Sequence, residues 1–208
     1  MGRREARALG AGDFVEVRGK RYTLHPVAVR QLAELEVRAL RFFQRQYMKS
    51  LQENASVLGE KEGQKMLMNK VEEIARWDVG DLPYKNAYDV SEIPVTDELK
   101  KWLVEQYGDI PEGDSTARAV VNMALESSMI TVAQVKELAG KSPRRIRVRY
   151  DQWWVSASVE GMTEFVLTSL QCKQPNMTIE DIGKWPLTSV AEASRIAEHL
   201  TTVDLGNG

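Results

Sequence analysis

Leu32-Ala-Glu-Leu-Glu-Val-Arg-Ala-Leu-Arg-Phe-Phe-Gln-Arg-Gln-Tyr47 carries an unbroken helical rhythm. Leu32, Leu35, Ala39, Phe42 and Phe43 recur every three or four residues, with arginine and glutamine on the opposite side. Tyr47 and Leu51 continue the stripe, and Pro26 stands where a helix start tolerates a residue without an N–H. Such a stripe has to be covered by neighbouring elements, which makes the chain mainly α.

Upstream, Phe14-Val-Glu-Val-Arg18 and Arg21-Tyr-Thr-Leu24 flank Gly19-Lys20. Glycine at the first of two central positions predicts a β-hairpin with a type II′ turn, Val15 and Val17 sharing a face opposite Tyr22 and Leu24. Residues 1–12 have no pattern and read as a mobile arm. Downstream, a second helix is expected over about 61–77, with Leu67, Val71, Ile74 and Ala75 inward. Residues 78–95, punctuated by Gly80, Pro83, Asn86, Ser91 and Pro94, read as an acidic loop, either functional or ordered by packing of Tyr84 and Tyr88.

Thr96 is an N-cap for a helix presenting Leu99, Trp102 and Leu103 and stopped by Gly108. Asp114 or Ser115 caps the next, with Val120, Met123 and Ala124 buried. Thr131 and Gln134 spell a capping box, and Gly140 ends that short helix. Two rhythms compete in residues 144–151. Arg145, Arg147 and Arg149 alternate with Ile146, Val148 and Tyr150 as a strand would. The start signal Ser142-Pro143 and the spacing of Ile146, Tyr150, Trp153 and Ala157 favour a helix extending toward Cys172. Thr178 with Asp181 and Ser189 with Glu192 box two final helices, the last turning Val190, Ala193, Ile196, Ala197 and Leu200 to one side. The expected architecture is mainly α: after the arm, residues 13–208 form one mostly helical domain. Its parts are the hairpin (13–25), long helices (26–77), the acidic loop (78–95) and C-terminal helices (96–208).

Composition narrows the function. Apolar residues make up 43% and charged residues 28%, ordinary for a soluble globular protein. No run approaches the roughly 18 apolar residues of a membrane span. Met1-Gly-Arg-Arg-Glu-Ala-Arg7 lacks the apolar stretch of a secretory signal, and Ala6 stands where myristoylation wants Ser or Thr. A single cysteine, Cys172, excludes an internal disulfide framework, so a cytosolic compartment is expected. The net charge of −2 is unevenly spread: residues 1–49 hold 11 Lys or Arg against 5 Asp or Glu, residues 78–114 hold 10 acidic against 3 basic. Such halves can attract within one fold or between copies, leaving self-association open, or can be separately solvated faces.

Chemistry-bearing constellations are missing from the sequence. His25 and His199 lack partners at ligand spacing, Cys172 has no nearby histidine, and Glu72-Glu73 and Glu180-Asp181 suit solvated helix faces. No enzyme, metal or cofactor is expected. Ile130 to Arg147 resembles a helix-turn-helix reader in which Arg144, Arg145 and Arg147 would contact DNA. Lys136 and Lys141 stand where that elbow wants a small and an apolar residue, and the charge balance supplies little field for nucleic acid. The pairs Phe42-Phe43 and Trp153-Trp154 point about 100° apart on a helix, so one member can enter the core while the other either broadens the core stripe or faces a partner.

Two regions carry a resemblance. Phe14-Val-Glu-Val-Arg-Gly-Lys-Arg-Tyr-Thr-Leu-His-Pro-Val-Ala-Val-Arg-Gln-Leu-Ala-Glu-Leu-Glu36 resembles the opening of the tail assembly chaperones of long-tailed bacteriophages. Gly161-Met-Thr-Glu-Phe-Val-Leu-Thr-Ser-Leu170, Gln174-Pro-Asn-Met-Thr-Ile-Glu-Asp-Ile182 and the ending Leu205-Gly206-Asn207 are similar to their C-terminal part. The resemblance implies a non-catalytic protein that binds the long helical tape measure protein before the tail tube polymerises. It also implies later displacement and, in many members, a longer frameshifted product. An apolar helical client would lie in a groove between helices, with Phe43, Tyr47, Trp153, Trp154, Phe165 and Leu167 as lining candidates, the alternative being that all six fill the core. Eight methionines would make such binding adaptable. The competing readings are the DNA-binding regulator using residues 130–150 and a structural adaptor retained in a virion.

Overall fold

The computed structural model describes residues 13–58, 60–108 and 113–205. The arm proposed for residues 1–12 lies outside them. The chain is mainly α, with a small N-terminal β-hairpin. Strands β1 (Asp13–Val17) and β2 (Lys20–Leu24) pair antiparallel, Val15 opposite Tyr22 and Val17 opposite Lys20. That register makes Arg18-Gly19 the loop, both at positive φ (52° and 75°), the geometry of a type I′ turn rather than the expected II′. Glycine takes the second central position, and Arg18 bears the left-handed conformation ahead of it.

Helix α1 (Val29–Leu58) and helix α2 (Glu60–Ala75) form a long antiparallel pair. A 3₁₀ turn (Val79–Asp81), capped by Asp78, leads into strand β3 (Tyr84–Asp89). Helices α3 (Asp97–Tyr107), α4 (Asp114–Glu126) and α5 (Val132–Ala139) follow, then strand β4 (Arg144–Arg149). The chain closes with α6 (Tyr150–Ala157), α7 (Val159–Gln171), α8 (Ile179–Gly183) and α9 (Leu187–Leu205).

Local signals explain most of these ends. Thr96 Oγ1 accepts from the Leu99 N–H, and Thr131 and Thr178 each complete a reciprocal capping box, with Gln134 and Asp181. Gly140 ends α5 in the left-handed conformation at φ 70°. Gly113, with no side-chain cap, occupies the position assigned to Asp114 or Ser115. The last helix begins at Leu187, so Ser189 lies inside it.

Two segments differ in kind from expectation. Residues 78–95 are not a loop throughout, because β3 pairs with β4, Tyr84 opposite Arg149 through Asp89 opposite Arg144. Residues 144–149 are correspondingly a strand, and the helix starts only at Tyr150. The two-residue rhythm prevailed because a partner strand was at hand to bury Ile146 and Val148 beside Ala87. The stretch to Cys172 is then two helices, broken at Ser158, whose Oγ accepts from the Gly161 N–H to start α7.

The core has two lobes. In one, the hairpin and α3, α4, α5, α7, α8 and α9 bury Leu24, Leu99, Leu103, Val120, Val166 and Leu170. In the other, α1, α6 and parts of α7 and α9 bury Leu35, Ala39, Trp153, Trp154 and Phe165. Polar side chains tie the linker between β2 and α1 to both. Ser169 Oγ accepts from the His25 N–H at 2.9 Å and donates to the His25 carbonyl at 2.6 Å, and Thr201 Oγ1 accepts from the Val27 N–H at 3.0 Å.

Candidate partner-binding surface

The lining candidates divide by depth. Trp153, Trp154, Phe165 and Leu167 are all buried in the core, none more than 9% exposed. Of the two readings open for the Trp153-Trp154 pair, core stripe or partner contact, both rings take the core, since α6 is covered by α1, α7 and the β3–β4 ribbon. The indole N–H groups of both are buried and meet no acceptor among the described residues. Above Trp153 sits the Lys85 ammonium, 3.1 Å from the ring centroid and 3.2 Å from a Glu126 carboxylate oxygen.

Phe43 and Tyr47 are half-buried in an aromatic seam. Phe43 meets Trp77 at 5.6 Å and Tyr150 edge-on at 4.8 Å, and Tyr47 lies 5.3 Å from Trp77. Burial raises the Tyr150 hydroxyl to about 12, with a lesser push from Glu160. The seam fastens α1 to the body, helped by ion pairs from Arg38 to Glu164 and from Arg45 to Glu160.

Beyond Tyr47, α1 runs with α2, which packs on α1 far more than on any other element. The two close tightly at Gly63, where a Cβ would lie 2.4 Å from the Ala55 carbonyl oxygen. Only a narrow seam of α2 is covered. Gly63 and Ile74 are buried, and Leu67 and Lys70 are half-buried. Val71 and Ala75, expected inward, are exposed, because a helix with a single neighbour buries a two-in-seven seam rather than a broad stripe. Val57, Met68 and Val71 consequently face outward, 84%, 74% and 45% exposed. Nearer the body, Val29 and Val37 are also exposed on α1, beside Ala33 and Arg41. The sequence reading missed these residues; the signal available was that α2 has apolar residues beyond those one neighbour can cover.

A separate cleft of about 450 Å³ opens between β3, α4 and α9, where Ser115, Arg118, Asn122, Ser194, Arg195 and Glu198 meet Met162 and Ile146. Arg118 is committed there, its Nε donating to the Ile93 carbonyl at 2.8 Å. Glu198 also edges a neighbouring trough floored by Leu32, Leu35, Val155 and Phe165. Its side chain stays open to solvent, yet crowding by protein around the carboxyl raises its pKa. Elsewhere, Asp89 is held low, first by hydrogen bonds from Ser91 and then by Arg144. His25 is pushed down by burial and by Lys173.

Among the described residues, no group of three or more His, Cys, Asp or Glu could hold a metal ion, and no helix is long and apolar enough to cross a membrane. Cys172 is exposed. Arg144, Arg145 and Arg147 stand on β4, so the helix that a helix-turn-helix reading requires is absent there. No family model, curated protein or solved structure matches the chain.

Proposed function

We propose that this chain is a non-catalytic assembly chaperone that holds a long helical client, of the kind a phage tail tape measure protein represents. One observation carries the reading: an α1–α2 arm, fastened at one end by an aromatic seam, with Val57, Met68 and Val71 turned to solvent. Exposed large apolar side chains grouped on one projection suit a partner more than isolated ones do. An amphipathic client helix laid along the arm would cover Met68 and Val71, one turn apart on α2, adding a third helix to the pair. The resemblance at both ends of the chain supports the same reading. The groove first expected at Trp153, Trp154, Phe165 and Leu167 is replaced by this arm.

Co-expression with a phage tail tape measure protein as the client tests the proposal. The client's soluble fraction should rise severalfold, and the two should copurify. An unchanged soluble fraction ends the reading. Recovery of this chain in finished particles would favour a retained structural adaptor instead.

A further inference from the structure

We propose that the outer face of the β3–β4 ribbon binds single-stranded nucleic acid. The inference is independent of the chaperone reading and revises the expectation, drawn from overall charge, that nucleic acid is no partner. Strand alternation sorts the ribbon into two faces. Ala87, Ile146 and Val148 turn toward the core, while Tyr84, Asn86, Arg145 and Arg147 are exposed on the other side. The register sets Asn86 directly opposite Arg147 and Tyr88 opposite Arg145.

The arginines of this ribbon are not equivalent. Arg149 is spent on Asp151, with both its Nε and a terminal nitrogen 2.9 Å from the carboxylate oxygens. Arg144, on the opposite parity, pairs with Asp89 at 3.2 Å. Among the described residues neither Arg145 nor Arg147 has a carboxylate at ion-pair distance. The Arg147 guanidinium lies 4.8 Å from the centroid of the Tyr84 ring, which is itself 57% exposed.

Two free guanidinium groups two residues apart on one strand, about 6.6 Å, suit successive phosphates. The open tyrosine ring, with an arginine already over it, is a platform on which a base stacks, and the Asn86 amide can donate to and accept from a base edge. A duplex keeps its base faces stacked and would leave the ring idle. Two unpaired charges on this ribbon, in a chain of net charge −2, are also too few to hold one. An acidic peptide would use the arginines alone.

The test is fluorescence anisotropy of labelled 15-nucleotide oligo-dT and oligo-U with the full chain. Saturable binding at 50 mM salt is expected. Neutralising two phosphates predicts a loss of about 25-fold between 50 and 500 mM salt. Arg145→Ala with Arg147→Ala should abolish that binding and its salt dependence. Tyr84→Ala should weaken it about tenfold while leaving the salt slope unchanged. Since all three side chains are exposed, the thermal midpoint of each variant should match the parent's. No binding at 50 mM salt, or equal binding by the double arginine variant, overturns the proposal. Tighter binding of duplex, or displacement of oligo-dT by polyglutamate at equal charge concentration, overturns the assignment to single strands.

Discussion

Substituting Gly161 by alanine should destabilise the fold by more than helix propensity can return. A Cβ built at Gly161 would stand 1.8 Å from the carbonyl oxygen of Trp154 and 2.4 Å from its carbon. Ordinary contact needs about 3.4 Å, so α6 and α7 would have to part by roughly 1.5 Å. The obstacle is backbone and cannot rotate away. It is also held in place, since the Trp154 carbonyl accepts from the Ser158 hydroxyl at 2.7 Å and from the Ser158 N–H at 3.3 Å. Movement would drag Trp154 and Met162, each 1% exposed, out of their packing. Overpacking of this kind costs about 1–3 kcal/mol, and the rigid neighbour places it at or above the upper end. Alanine's better helix propensity returns about 1 kcal/mol. The net loss is about 2 kcal/mol, or roughly 4–8 °C of Tm in a chain this size. Gly183→Ala is the matched control: nothing lies within 4 Å of a Cβ there, so stability should hold or rise by up to about 1 kcal/mol. Calorimetry and urea titration of the two variants decide the matter. A Gly161→Ala protein as stable as the parent would refute the close α6–α7 junction.

Removing the α5 cap with Thr131→Ala deletes the acceptor for the Gln134 N–H, at about 1 kcal/mol in urea unfolding. Glu198→Gln should stabilise the protein at pH 7. Its folded pKa is raised, so the carboxyl costs the fold stability as pH climbs through the unfolded and then the folded value, and costs nothing below the unfolded one. The advantage of glutamine, read from urea midpoints, should therefore vanish near pH 4; a constant advantage would mean the carboxyl's charge is not the cause. Replacing Val57, Met68 and Val71 together by serine should shift each site's stability by no more than about 0.5 kcal/mol while abolishing copurification with a client.

Helix existence was legible wherever periodicity and capping agreed, as at Thr96 to Gly108 and Thr131 to Gly140, because those signals are local. The ribbon was not. Ser142-Pro143 announces a helix, and only the distant Tyr84–Asp89 segment, itself read as a loop, supplies the ladder that makes Arg144–Arg149 a strand. The hairpin turn was misassigned by one residue because Arg18 at positive φ is unfavourable locally and is imposed by the pairing register. For the binding surface, sequence identified the aromatic residues correctly as bulky and helical but could not tell how many neighbours each helix would have. Trp153 and Trp154 are covered from several sides, whereas Val71 has one neighbour and lies open. Neighbour count is a tertiary property that periodicity does not carry.

Amide hydrogen exchange of this chain, alone and with its client bound, tests the account most directly. Among the described residues, 48–75 form a two-helix layer that no third helix covers, so protection should rise there by an order of magnitude or more while α4, α7 and α9 stay unchanged. Protection gained around Trp153 and Phe165 instead, with the α1–α2 pair unaffected, would contradict the arm as the client's seat.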